Sequence, residues 1–101
     1  MIKEKYHKML ERFNNDLAEL CKMTGEEVPT LYENAYTTFG ISNIRLEGNF
    51  LKYDYHWGFI RKQDVTHERE RFDEEDFKET LKFWRAAIRR AKIHFSKNSL
   101  F

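Results

Sequence analysis

The chain has 101 residues, enough for one domain with a modest core. Its 41% hydrophobic content includes nine Phe, five Tyr and two Trp, which predicts a core rich in aromatic rings. Charged residues make up 35%, but 18 basic and 17 acidic side chains nearly cancel; a net charge of +1 argues against binding nucleic acid or an anionic membrane through the overall field and leaves only a local patch.

No stretch approaches the ~20 apolar residues of a membrane span. Met1-Ile2-Lys3-Glu4-Lys5 is not followed by the apolar run of a signal peptide. The single cysteine, Cys21, has no partner for an intrachain disulfide and falls within an apolar stripe, so it is read as a small buried hydrophobe. These features predict a cytoplasmic protein.

In chain order, Ile2, Tyr6, Leu10, Phe13, Leu17 and Leu20 recur at spacings of three and four and form one stripe. They predict a helix over residues 3 to 24, closed by Gly25 in a left-handed cap. Residues 25 to 38 read as a connection broken by Pro29. Thr30 and Glu33 have the spacing of a capping box, which suggests a single helical turn around Leu31–Ala35.

The middle of the chain reads as an antiparallel meander. Residues 39 to 47 form its first strand, Gly48-Asn49 a two-residue hairpin turn, and residues 50 to 61 the central strand. Alternation puts Leu51, Tyr53, Tyr55, Trp57 and Phe59 on one face of that strand. A turn there sets Leu46 opposite Leu51 and Ile44 opposite Tyr53. After a second turn near Gln63-Asp64, residues 65 to 71 return as a charged strand suited to a sheet edge.

The last helix opens with Asp73 as N-cap, Asp76 three residues on, and Phe72 and Phe77 at the positions of a hydrophobic staple. Phe77, Leu81, Trp84, Ile88, Ala91 and Phe95 form its buried stripe. The expected fold is therefore α+β, in the order α-β-β-β-α: a single domain over residues 1 to 101, with both helices packed on the aromatic face of a three-stranded meander.

The motifs of catalysis are missing from this sequence. There is no HxxxH, CxxC or HExxH metal spacing, no glycine-rich phosphate loop and no nucleophile elbow. No enzymatic activity, metal or cofactor is expected. Asp54, His56, His67, Glu68 and Glu70 come near one another across the second hairpin, and a solvated sheet face accounts for them better than acid–base chemistry does.

Two binding readings remain. Lys78, Lys82, Arg85, Arg89 and Lys92, spaced by four, three, four and three, form a basic row along the last helix that could neutralise phosphates. Alternatively, a partner protein could be held. Phe50 and Ile60 lie on the polar face of the central strand, and Leu100 and Phe101 end the chain. Both helices carry narrow seams near a 3.5-residue period, which leaves helix-mediated homodimerisation open.

The run Tyr55-His56-Trp57-Gly58-Phe59-Ile60-Arg61, then His67-Glu68-Arg69, then Asp76-Phe77 with Leu81 and Phe83-Trp84, resembles an immunity-protein family of bacterial polymorphic toxin systems. Val28-Pro29-Thr30 is similar to the segment before the sheet in that family, and the likeness covers about half the chain. It implies a cytoplasmic protein that binds a cognate toxin domain and blocks its active site or substrate access, with no catalytic residues. On that reading the contact residues are Lys52, Asp54, His56, Glu68, Arg69 and Glu70, on the outer face and edge of the sheet.

Overall fold

The computed structural model describes residues 1–58 and 64–98. The elements are α1 (Glu4–Thr24), β1 (Leu31–Tyr32), β2 (Thr38–Glu47), β3 (Phe50–Trp57), β4 (Asp64–Arg71) and α2 (Glu74–Asn98). The architecture is α+β, as expected, but the antiparallel sheet has four strands in the order β1-β2-β3-β4.

The additional strand corrects the reading of the connection. Leu31 and Tyr32 are not a helical turn; they pair with Phe39 and Thr38 at the start of β2. The reversal between them is closed by Asn34, whose Oδ1 accepts from the backbone N–H groups of Tyr36 and Thr37, both at 2.8 Å. Burial decides against a local capping box here. Leu31 is fully buried, a position a strand can reach against the core and a surface turn cannot. Arg90 of α2 fixes the segment by donating to the carbonyls of Tyr32 and Glu33 at 3.2 and 3.1 Å.

Both helices follow their patterns, except that Phe95, expected in the buried stripe of α2, is only half-buried and stands outside the core cluster. Tyr6, Leu10, Phe13, Leu17 and Leu20 are the buried residues of α1, and Gly25 caps it with φ 72° and an N–H bond to the Cys21 carbonyl. Cys21 itself is only half-buried, with its Sγ 3.5 Å from the Glu27 carbonyl and its thiol pushed up by burial. At the start of α2 the Asp76 N–H donates to Asp73 Oδ2 at 3.0 Å, and the Phe72 and Phe77 rings sit 5.2 Å apart, which forms the staple. Tyr6 meets both rings edge-on.

The β2–β3 hairpin turns at Gly48, whose φ of 62° suits the first central position of the turn. Leu46 does lie opposite Leu51, but Ile44 is not simply opposite Tyr53. Between Ser42↔Asp54 and Arg45↔Lys52, both Asn43 and Ile44 face the single residue Tyr53, which makes a β-bulge with Asn43 at φ 53°. The apolar spacing demands it. Phe39, Ile41 and Ile44 are buried and Leu46 packs against them, at intervals of two, three and two; without the extra residue one pair would face water. Beyond the short β1, Asn14 of α1 covers the free edge of β2 by donating to the Ile44 carbonyl at 3.2 Å.

The core does not extend evenly beneath the sheet. Trp84 packs between Phe13 (5.6 Å) and Tyr53 (4.9 Å), while Phe39 stacks on Tyr55 and on Phe83. Tyr53 and Tyr55 are half-buried, but Trp57 is 47% exposed. The expectation that all three rings lie beneath the helices therefore fails at Trp57, the last residue of β3, which stands beside the exposed Asp64 at the start of the edge strand. The expected continuation of β3 to residue 61 and the second turn fall largely on residues 59–63, outside the described residues.

Candidate functional site

β4 is the edge strand foreseen from its charge. Every residue of Asp64–Arg71 pairs in register with β3, from Trp57↔Asp64 to Phe50↔Arg71, and none is buried. No helix approaches β4, which packs against β3 alone. β4 thus displays two faces, while the helix-side face of β3 packs on the core at Leu51, Tyr53 and Tyr55.

On the face away from the helices stand Lys52, Asp54 and His56 of β3, with His67 and Arg69 of β4 and Ser42, Arg45 and Glu47 of β2. Neighbouring charges are paired both along β2 and across strands. Glu47 accepts from Arg45 Nε at 2.7 Å and Lys52 Nζ at 3.0 Å; these bonds, Arg45 first, hold its carboxyl below the usual range. Asp54 Oδ1 lies 2.6 Å from His67 Nδ1, and the Asn43 side chain of the bulge also bonds Asp54. The His67 bond is the larger cause of a lowered Asp54 pKa. Ser42 Oγ lies 2.7 Å from His56 Nε2. The Arg69 guanidinium rests 3.8 Å over the Phe50 ring and covers that face of it.

Ser42–His56 and Asp54–His67 are two separate pairs on an open sheet face. The Asp54 carboxylate that could orient a histidine base is bonded to His67, while His56 is the histidine beside the serine. A serine–histidine–carboxylate relay is therefore not assembled. Among the described residues, no group of three or more His, Cys, Asp or Glu side chains is placed to hold a metal ion.

Glu68 and Glu70 point the other way. They share the helix-side face with Asp64 and Thr66, opposite Tyr53, Leu51, Trp57 and Tyr55. Tyr53 Oη donates to Glu70 at 3.0 Å, and burial followed by this bond pushes its hydroxyl well up. Thr66 donates to Glu68 at 3.0 Å. The six contact residues expected from sequence all belong to the ribbon, but strand alternation divides them: Lys52, Asp54, His56 and Arg69 on one face, Glu68 and Glu70 on the other. Sequence reading missed two exposed rings: Trp57, which stands opposite Asp64 on this acidic side, and Phe83 of α2, which is 43% exposed and stacks on Phe39. The signal was present in the register, since Glu68 and Glu70 share the parity that puts the tyrosines on the helix side.

The basic row of α2 lies elsewhere. Lys78, Lys82, Arg85, Arg89 and Lys92 all line one groove of about 320 Å³ between the two helices, with Leu81 and Ile88 of α2 and Met9 and Asp16 of α1. Of the apolar residues singled out for partner contact, Ile60, Leu100 and Phe101 lie outside the described residues. No described helix is long and apolar enough to cross a membrane.

Comparison with known proteins finds no match to a protein-family model, a curated protein or a solved structure.

Proposed function

We propose that this chain is an immunity-type inhibitor: a protein-binding domain whose β3–β4 ribbon docks on a cognate toxin domain and occludes it. One observation carries this reading. An eight-residue strand is ordered against β3 without burying a single side chain. Ordering a strand costs conformational entropy, on the order of 1 kcal/mol per residue, which burial normally offsets. β4 contributes little to the core; what it supplies is an edge strand with both faces presented.

The chemistry of the ribbon suits protein recognition. Exposed Trp57, half-buried Tyr53 and Tyr55, and Arg69 held on Phe50 are the side-chain types that dominate interfaces. Segregated charge, with Arg and His on one face of β4 and Glu and Asp on the other, steers encounter and fixes orientation. It also disfavours the usual self-association. An antiparallel β4–β4 pair about a two-fold axis would set Glu68 and Glu70 against the acidic side of the second copy and Arg69 against its basic side.

The first partner to test is the protein encoded immediately upstream of this chain. Co-expression is expected to relieve its toxicity and yield a stable complex. Asp54→Lys combined with Glu68→Lys, one change on each face, is expected to slow association at least tenfold while the circular dichroism spectrum stays that of the native domain. Unchanged association in the double variant removes those residues from the interface, and absence of any complex overturns the assignment to that partner.

A further inference from the structure

We infer that the groove between α1 and α2 is a second binding site, independent of the ribbon, that takes the phosphate backbone of a single-stranded nucleic acid. The five cations along α2 from residue 78 to residue 92 line this one groove. At ~1.5 Å per helical residue the row is about 21 Å long. Glu74, Glu75, Asp76 and Glu79 in the first turns of α2 blunt the field at the Lys78 end of the row. Lys78 is 3.5 Å from the exposed Glu75 and the half-buried Lys92 is 3.7 Å from Glu19, one pair at each end of the row. Lys82, Arg85 and Arg89, at its centre, form no ion pair with a carboxylate among the described residues. Asp16 is the one acidic residue lining the groove.

The shape selects a single strand. α1 stands beside the row as a wall, with Met9 and Asp16 facing the cations, so α2 cannot enter the groove of a duplex as a free recognition helix does. An extended strand can lie in the trough with its phosphates toward the cations and its bases toward solvent. Arg85 lines the groove, and its Nε is shut away from solvent without an acceptor. No aromatic ring lines the groove, and the apolar contacts come from Met9, Leu81 and Ile88. Base stacking is therefore missing, and binding should be electrostatic and indifferent to sequence.

Fluorescence anisotropy with a labelled oligothymidylate spanning the row tests the inference on the full chain. With three to five phosphates neutralised, affinity should fall roughly 20- to 130-fold between about 50 and 200 mM salt. Replacing the exposed Lys82 and Arg89 by Gln should lower the log–log salt slope by about 1.4, two phosphates' worth on a single strand. Asp16→Asn should tighten binding with the slope unchanged, an effect of opposite sign that loss of folding cannot imitate. Absent binding, a slope near zero, a K82Q/R89Q variant identical to the parent, or tighter binding to a duplex of equal length would each overturn it. None of these results bears on the ribbon, whose variants leave the groove intact.

Discussion

The bulge at Asn43 gives a sharp test of how this sequence positions its sheet. Two single-residue deletions, two positions apart, should have opposite outcomes. Deleting Asn43 removes the extra residue and leaves Ile41, Ser42, Ile44, Arg45 and Leu46 in strict alternation, with Ile41, Ile44 and Leu46 still facing the core and Ile44 now directly opposite Tyr53. The losses are the Asn43 bond to Asp54 and part of the edge contact from Asn14. The gain is relief of a left-handed backbone, which costs a residue with a Cβ about 1–2 kcal/mol, less for Asn. The net change should stay within about 1.5 kcal/mol.

Deleting Arg45 shortens the strand equally but leaves Asn43 in place. Alternation through Ile41, Ser42, Asn43, Ile44 and Leu46 then turns Asn43 inward and Ile44 outward. Exposing Ile44, now buried, costs about 1.5–3 kcal/mol, and burying an unpartnered amide about 1–3 kcal/mol more. A loss of roughly 3–5 kcal/mol is a large share of the ~5–15 kcal/mol that holds such a domain together. Urea denaturation followed by far-ultraviolet circular dichroism measures both variants. Equal midpoints for the two deletions, or a less stable Asn43 deletion, would refute the claim that the bulge absorbs a break in the apolar pattern.

Three other outcomes follow from named contacts. Tyr6→Phe removes a buried hydroxyl with no hydrogen-bond partner while keeping the ring against Phe72 and Phe77, so the denaturation midpoint should hold or rise, by up to about 1 kcal/mol in stability. The folded pKa of Asp54 is lowered, so its contribution to stability is complete above the ordinary carboxylate range and is lost as pH falls through its own lower value; His67→Ala should raise the Asp54 midpoint in an NMR titration and make the domain lose stability at a higher pH on acidification. The two tryptophans should separate in acrylamide quenching: in Trp84→Phe the remaining Trp57 should emit to the red and quench readily, and in Trp57→Phe the remaining Trp84 should emit to the blue and resist.

Both helices were legible because their apolar residues keep a period near 3.6 and their caps are local: Gly25 after α1, Asp73 and the Phe72–Phe77 staple before α2. The Gly48 turn and the Leu46–Leu51 pair followed from turn chemistry and alternation. β1 was not legible, because two residues carry no period and its identity rests on tertiary burial of Leu31. The bulge was written in the two-three-two spacing of Phe39, Ile41, Ile44 and Leu46, but a strand read by strict alternation passes over it. The six expected contact residues all fall on β3 and β4, and only the register of β4 against β3 divides Glu68 and Glu70 from Lys52, Asp54, His56 and Arg69. The exposure of Trp57 is a matter of tertiary packing at the end of β3, which alternation along the strand does not record. The basic row, by contrast, could be read from helical spacing, although its wall from α1 could not.

The central claim is that the β3–β4 ribbon is the surface that meets a partner protein. Amide hydrogen exchange of the chain, alone and mixed with the protein encoded upstream, addresses it most directly. Protection gained over residues 50–57 and 64–71, with α1 unchanged, is the expected result. Protection confined to the helices, with the ribbon exchanging as it does in the free chain, would contradict it.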